Sequence, residues 1–331
     1  MHAIMASPIA ARTGTLLPAR VRRAAPVAAA AIPARVSVAG DARLRATARL
    51  RAVGVRARVA DRASVVPRAS ASAAADVGAN SPRDEKLSVI AIARAMCFYL
   101  VTFTLALPLF AAMCAMFPFT YLTDKYRRYA LSFVNDIWAV ISTGLFFKVE
   151  VIGKENLPPA DAGAVYVANH ASYLDIYSLF HLRRPFKFIS KVSNFIIPII
   201  GWSMYMTGHI ALKRTDRKSQ MKTLKDCREL LQKNCPVLFF PEGTRSPDGK
   251  MGDFKKGAFS VAAKEKALVV PVTLVGTADR MANGKEWMLR AGGIKVIVHP
   301  PIKCEDAQEC CDESYRVIKE ALVQHLSLIH I

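Results

Sequence analysis

From residue 148 onward, short apolar runs rich in Val, Ile and Phe alternate with longer amphipathic stretches. The runs at 146–152, 164–168, 186–189, 209–212, 237–240, 269–274 and 295–299 have the length and composition of strands. Between them, Met221, Leu224, Leu230 and Leu231 recur at helical spacing within 219–234, and 257–266 and 312–326 also read as helices. Strands alternating with helices predict an α/β fold, a mixed but mostly parallel sheet flanked by helices. A different pattern comes before it. Residues 95–123 are 29 positions without a charge, and 129–147 form a second apolar stretch whose only charge is Asp136. About 20 apolar residues cross a bilayer as a helix. The pattern therefore predicts a membrane-embedded helical region, either one span bent at Pro108 or a hairpin that enters one leaflet and returns. Pro108 and Pro118 each remove a backbone donor and are expected to interrupt the run. Phe117, Phe119, Tyr121 and Trp138 suit a membrane interface, and basic residues on both flanks leave the orientation unread.

The first 80 residues have no sustained apolar period and too little large apolar surface for a core. They change the meaning of the net charge, which is +20 over 331 residues. Half of that excess is here: 13 Arg, no Lys, 3 Asp and no Glu. Arg-rich, Ser-bearing and acid-poor is the composition of an organelle transit peptide, and the Ala, Val and Pro content favours a plastid. With the leader set aside, the charge no longer argues for nucleic acid, which would also want base-stacking aromatics among the basic residues. The expected organisation is a transit peptide over 1–80, a membrane-associated helical region over 81–147, an α/β domain over 148–326 and a tail of uncertain origin over 327–331. The seven cysteines form no CxxC pair and read as reduced structural thiols, with no metal site.

Candidate chemistry collects where strands are expected to end. "VYVANHASYLDIYSLF" runs from a strand through Asn169 and His170 into a helix that carries Asp175 near its start. In α/β sheets, active residues gather at the carboxyl ends of strands. A carboxylate early in a helix is favoured by the macrodipole, and one turn returns it towards His170. Asp175 would hold one ring nitrogen and leave the other free to take a proton. Taken alone, the pair is equally a solvated loop histidine beside an unrelated helix-start aspartate. Three further strand exits carry cations: Arg245 in "FFPEGTRS", Lys213 and Arg214 in "ALKRTD", and Lys191 in "FKFISK". Cations converging on one histidine predict an anionic substrate.

Other enzyme classes fit less well. Five residues separate Gly243 from Gly249 where a phosphate loop needs four, and Met251 stands where that loop places Ser or Thr. Gly201-Trp202-Ser203-Met204-Tyr205 lacks the final glycine of a nucleophile elbow, so Ser203 reads as structural. The remaining histidines (2, 181, 209, 299, 325 and 330) have no comparable carboxylate and read as structural or surface residues. A lipase or thioesterase using the same His/Asp pair on water remains the rival from another class.

Four blocks stand in one order: "NHASYLD", "ALKRTD", "FPEGTRS" and "VVPVTLVG". Together they resemble the glycerolipid acyltransferase family with its NHxxxxD motif. "FKFISK" and "FKKGAF" bring the chain nearest to the plastid members that act on lysophosphatidic acid. The resemblance covers roughly 94–326. It implies transfer of an acyl group from acyl-ACP or acyl-CoA to the sn-2 hydroxyl of 1-acyl-sn-glycerol-3-phosphate, giving phosphatidic acid at the plastid inner envelope membrane. No cofactor or metal is implied. Glycerol-3-phosphate or another lysophospholipid is an alternative acceptor. By the same resemblance, His170 is the general base and Asp175 its support. Glu242, Gly243, Thr244 and Arg245 line the acceptor site, with Arg245 on the phosphate. Lys191 shares that phosphate, Lys213 and Arg214 lie nearby, and Asn169, Pro241 and Pro271 support the motifs.

Overall fold

The structure, a computed structural model, describes residues 88–327. The transit peptide expected over 1–80 and the tail residues 328–331 lie outside them. Two helices come first, α1 (Val89–Thr123) and α2 (Tyr129–Gly144). The helix α1 continues through both Pro108 and Pro118, contrary to the expected interruption. Each proline forfeits a backbone bond, but a helix still pairs most of the remaining N–H and C=O groups of this apolar segment. The two helices pack against each other. Met113, Leu131 and Val134 form a small core together with Met206 of the body, and Trp138 Nε1 donates to the Thr102 carbonyl at 3.0 Å.

The rest is a sheet with helices on it. The strands are β1 (Val149–Ile152), β2 (Val165–Ala168), β3 (Lys187–Lys191), β4 (Ile210–Leu212), β5 (Val237–Phe239), β6 (Leu268–Val275), β7 (Ile294–Val298) and β8 (Ile302–Lys303). The helices are α3 (Leu174–Phe180), α4 (Ile200–Thr207), α5 (Arg217–Gln232), α6 (Gly257–Glu265), α7 (Thr277–Arg280) and α8 (Ala307–Ser327). Every expected strand is present. The two-residue β8 was too short to read. The helix α4 was also missed, because its apolar and polar residues follow no clean period.

The strand order is β1-β7-β6-β2-β5-β3-β4, with β8 paired to β6. The pairs β6–β2, β2–β5, β5–β3 and β3–β4 are all parallel, while β6–β7 is antiparallel. This arrangement explains the strand pattern. All four residues of β2 are buried, because the sheet is covered on both faces. Tyr166 and Ala168 face a core shared with Phe98, Leu174 and Tyr177. Val165 and Val167 face the other core, with Leu231, Phe259 and Ile318. Full burial of such a side chain contributes about 1.5–3 kcal/mol.

Four adjacent parallel strands place four carboxyl ends side by side. The exits of β2, β5, β3 and β4 are where His170, Arg245, Lys191 and Arg214 were expected, so one edge of the body carries all of them.

Candidate active site

The chain leaves β2 at Asn169, whose side chain locks the strand end. Its Nδ2 donates to the Leu274 carbonyl at 3.0 Å and its Oδ1 accepts from Leu274 N at 2.8 Å. His170 follows, and then a tight turn into α3. Asp175 lies in the first turn of α3 and is fully buried. Its Oδ2 accepts from Ala171 N at 2.7 Å, Ser172 N at 2.8 Å and His170 Nδ1 at 2.8 Å. Two of these donors are backbone N–H groups of the turn that leads into α3, and the third is the imidazole, so one carboxylate holds the turn and the ring together. An ionised carboxylate only accepts, so Nδ1 carries the hydrogen, and in the neutral imidazole the lone pair is then on Nε2.

Two neighbours fix the imidazole further. The Phe240 ring stacks on it at a centroid distance of 3.9 Å and an angle of 16°. The His170 backbone N–H donates to Glu242 Oε1 at 2.7 Å, and the other Glu242 oxygen accepts from Gly252 N at 2.9 Å. Both oxygens of Glu242 are thus engaged with backbone, and the side chain ties the loop after β5 to the loop after β2. Burial raises its pKa despite the N–H groups of Gly252 and His170. Gly243 follows at φ +79°, where an added Cβ would stand 2.5 Å from Lys255 Nζ. Any other residue there would be strained by the left-handed backbone, although the flexible lysine tip could move aside.

A cavity of about 530 Å³ opens beside the histidine. Its apolar wall includes Leu109 and Phe110 of α1, Trp138 of α2, and Tyr177 and Ile200 of the body. Lys191, Arg214, Thr244 and Arg245 line it along with His170. The structure therefore brings together most of the sequence candidates. Lys213 is an exception. It is exposed and absent from the cavity wall, from which Glu242 and Gly243 are missing too. Pro241 accepts from Lys255 N at 2.9 Å, and Pro271 lies within β6 opposite Val167, so both shape the backbone around the site.

Two features escaped the sequence reading. Phe240 directly precedes the "PEGTR" block, and its position after a strand was a usable signal. Glu286 had none: it sits in the loop after α7, yet its Oε1 is 2.6 Å from Arg245 Nη1. Burial works to raise the Glu286 pKa, but its own N–H, that of Gly284 and the Arg245 guanidinium hold it below the usual carboxylate range. Among the other described histidines, His181 Nε2 lies 2.9 Å from Thr143 Oγ1 and His299 Nε2 lies 2.7 Å from Thr273 Oγ1. His209 accepts from Phe188 N through Nδ1 at 3.1 Å, and burial drives its pKa down to about 3. Ser203 donates to Asn135 Oδ1 at 3.2 Å. Among the described residues, no three His, Cys, Asp or Glu side chains gather as metal ligands.

Comparison with known proteins agrees with this geometry. The acyltransferase family profile matches residues 148–275. A 1-acyl-sn-glycerol-3-phosphate acyltransferase of Chlamydomonas reinhardtii is 56% identical over 241 residues, 72% of each chain. A chloroplastic enzyme of the same name from Brassica napus is 48% identical over 229 residues, 69% of this chain and 67% of its own. Among solved structures, the 1-acyl-sn-glycerophosphate acyltransferase PlsC of Thermotoga maritima shares the fold, with a TM-score of 0.55 and 24% identity over 70% of this chain and 97% of that one. Identity at this level over most of two long relatives means that the chain belongs to the acyltransferase family that contains the 1-acyl-sn-glycerol-3-phosphate acyltransferases.

Proposed function

We propose that this enzyme moves an acyl group from a thioester to the sn-2 hydroxyl of 1-acyl-sn-glycerol-3-phosphate and releases phosphatidic acid. One observation carries the reading: a histidine with a free Nε2, held by a buried aspartate at 2.8 Å, at the lip of an apolar cavity that also bears cations. Nε2 takes the hydroxyl proton as the oxygen attacks the thioester carbonyl carbon. The tetrahedral species collapses by breaking the C–S bond. The imidazolium then returns its proton to the leaving thiolate, so no acyl-enzyme is needed. General-base assistance supplies about 10²–10⁴-fold, and holding both substrates in place supplies much of the remainder. Arg245 binds the acceptor phosphate with help from Lys191, and the apolar wall takes acyl chain. The chloroplastic relative supports a plastid location and hence acyl-ACP as donor, at the inner envelope.

The activity is tested with purified enzyme, crossing acyl-ACP and acyl-CoA with lysophosphatidic acid, glycerol 3-phosphate and a lysophosphodiester, and separating the lipid products. Free fatty acid formed without an acceptor would identify a hydrolase instead. Within the same assay, Arg245→Ala is expected to raise the KM for lysophosphatidic acid by about 10- to 100-fold, the loss of one strong charge-assisted contact. If only the donor KM moves, Arg245 serves the thioester.

For the region 81–147 we favour the hairpin in one leaflet over the single span. The helix α1 is long enough to cross a membrane, but the body holds it at both ends. Near its start, the Ala91 carbonyl accepts from Leu289 N at 3.0 Å, and Tyr99 Oη donates to the Glu286 carbonyl at 2.8 Å. Past its end, Arg128 Nη1 donates to the Tyr205 and Met206 carbonyls at 2.9 and 2.7 Å, and buried Lys187 donates to the Arg127 carbonyl. A spanning helix would place those ends on opposite sides of a hydrocarbon core about 30 Å thick, out of reach of one charged body. The exposed face, with Leu100, Phe103, Leu107, Phe119 and Leu122, is left for lipid. Val89→Cys and Lys125→Cys, each in a chain whose exposed Cys97 and Cys114 are alanine, check this in sealed vesicles. An impermeant maleimide is expected to label both from the same side, whereas labelling from opposite sides would establish a span.

A further inference from the structure

Arg245 has an anionic partner within the chain itself. Glu286 Oε1 lies 2.6 Å from its Nη1, and the two side chains are 35% and 33% exposed. The loop that delivers Glu286 is fixed through its backbone. Tyr99 Oη donates to the Glu286 carbonyl at 2.8 Å, Leu289 N donates to the Ala91 carbonyl at 3.0 Å, and Arg290 N to the Arg280 carbonyl at 2.8 Å. With Lys285 N also donating to the Ala282 carbonyl at 3.0 Å, the backbone is held on both sides of residue 286, and the carboxylate leaves Arg245 by rotation of its own side chain. A half-open ion pair of this kind is weak, equivalent to at most about fivefold in an equilibrium. It is weak enough for an arriving phosphate monoester, with about −1.5 to −2 charge, to displace it. Substrate and product both carry that phosphate, so whatever competes with one competes with the other.

We infer that Glu286 is a built-in competitor for the acceptor phosphate. Its carboxylate occupies Arg245 between turnovers, yields it to the phosphate of lysophosphatidic acid, and reclaims it as phosphatidic acid departs. The inference rests on Arg245 as the phosphate-binding residue. Glu286 touches no reacting atom and acts only through Arg245.

The sign of one substitution decides between competition and mere positioning. In Glu286→Gln, assayed as full-length enzyme in mixed micelles, the KM for lysophosphatidic acid and the inhibition constant of phosphatidic acid are expected to fall together by about 2- to 5-fold. The donor KM stays unchanged. Glu286→Asp keeps the charge on a shorter arm and is expected to shift both constants the same way by less. A rise in the acceptor KM of Glu286→Gln would mean that the carboxylate holds Arg245 in place for the substrate, and would overturn the inference. No change in either constant would overturn it as well. Arg245→Ala, measured alongside, separates the failures. If it leaves the acceptor KM alone, the phosphate-site reading fails and takes this inference with it. If it raises that KM while Glu286→Gln changes nothing, only the exchange is wrong.

Discussion

Replacing His170 by alanine is expected to lower the turnover number by about 10²–10⁴-fold, the value of general-base assistance. The KM for lysophosphatidic acid should change little, because the cations that face the phosphate remain. The fold should survive too. The imidazole is a lip residue, 14% exposed, and its backbone N–H still donates to Glu242 in the variant. Single-turnover chemistry together with a thermal melt checks both halves. A folded variant with near-normal turnover would remove His170 from the mechanism and leave the cavity without a base.

The second large effect is expected at Asp175, and it combines chemistry with stability. Asparagine is nearly isosteric, but its one carbonyl oxygen is neutral and its amide nitrogen is a donor. Oδ2 at present receives three N–H groups. If the amide nitrogen turns that way, it faces donors. If the oxygen does, the charge that favours Nδ1–H is gone. Either way the imidazole is no longer held in the tautomer whose Nε2 can accept a proton. Turnover in Asp175→Asn is expected to fall by about 10²–10⁴-fold, the scale on which the orienting carboxylate acts in hydrolytic triads. Weakened bonds at a buried helix start add about 1–3 kcal/mol of destabilisation. A denaturant titration separates this from the kinetic loss. If turnover persists while stability drops, Asp175 is a helix-start brace and nothing more.

These two residues were legible because the signal is local. His170 and Asp175 are five positions apart on one strand–helix junction, and a helical turn is all that is needed to bring them together. The convergence of Lys191, Arg214 and Arg245 was legible for a related reason: each lies at the end of a parallel strand or in the loop after it, and parallel strands end on a common edge. Lys213, beside Arg214 in the sequence, does not line the cavity, and nothing in the linear pattern separates the two. The helix α8 was read from residue 312 but begins at Ala307. Asp306, whose Oδ1 accepts from Gln308 N and Glu309 N at 2.7 and 2.9 Å, caps it. With Glu309 three residues on, the stretch is a capping-box pattern that the apolar period alone did not reveal.

By itself, the sequence determined the alternation of strands and helices, the apolar front end and the pairing of His170 with Asp175. Each of these is written in neighbouring residues, as side-chain periodicity or as spacing within one turn. Only the tertiary structure decided which groups oppose one another across the chain. It put Glu242 on backbone N–H groups of two different loops, stacked Phe240 on the imidazole, and set Glu286 against Arg245. It also tied both ends of α1 to one body. Such pairings depend on strand order and loop path, which a linear pattern does not encode. They come from burying both faces of the sheet at once, which leaves few arrangements of the connecting loops.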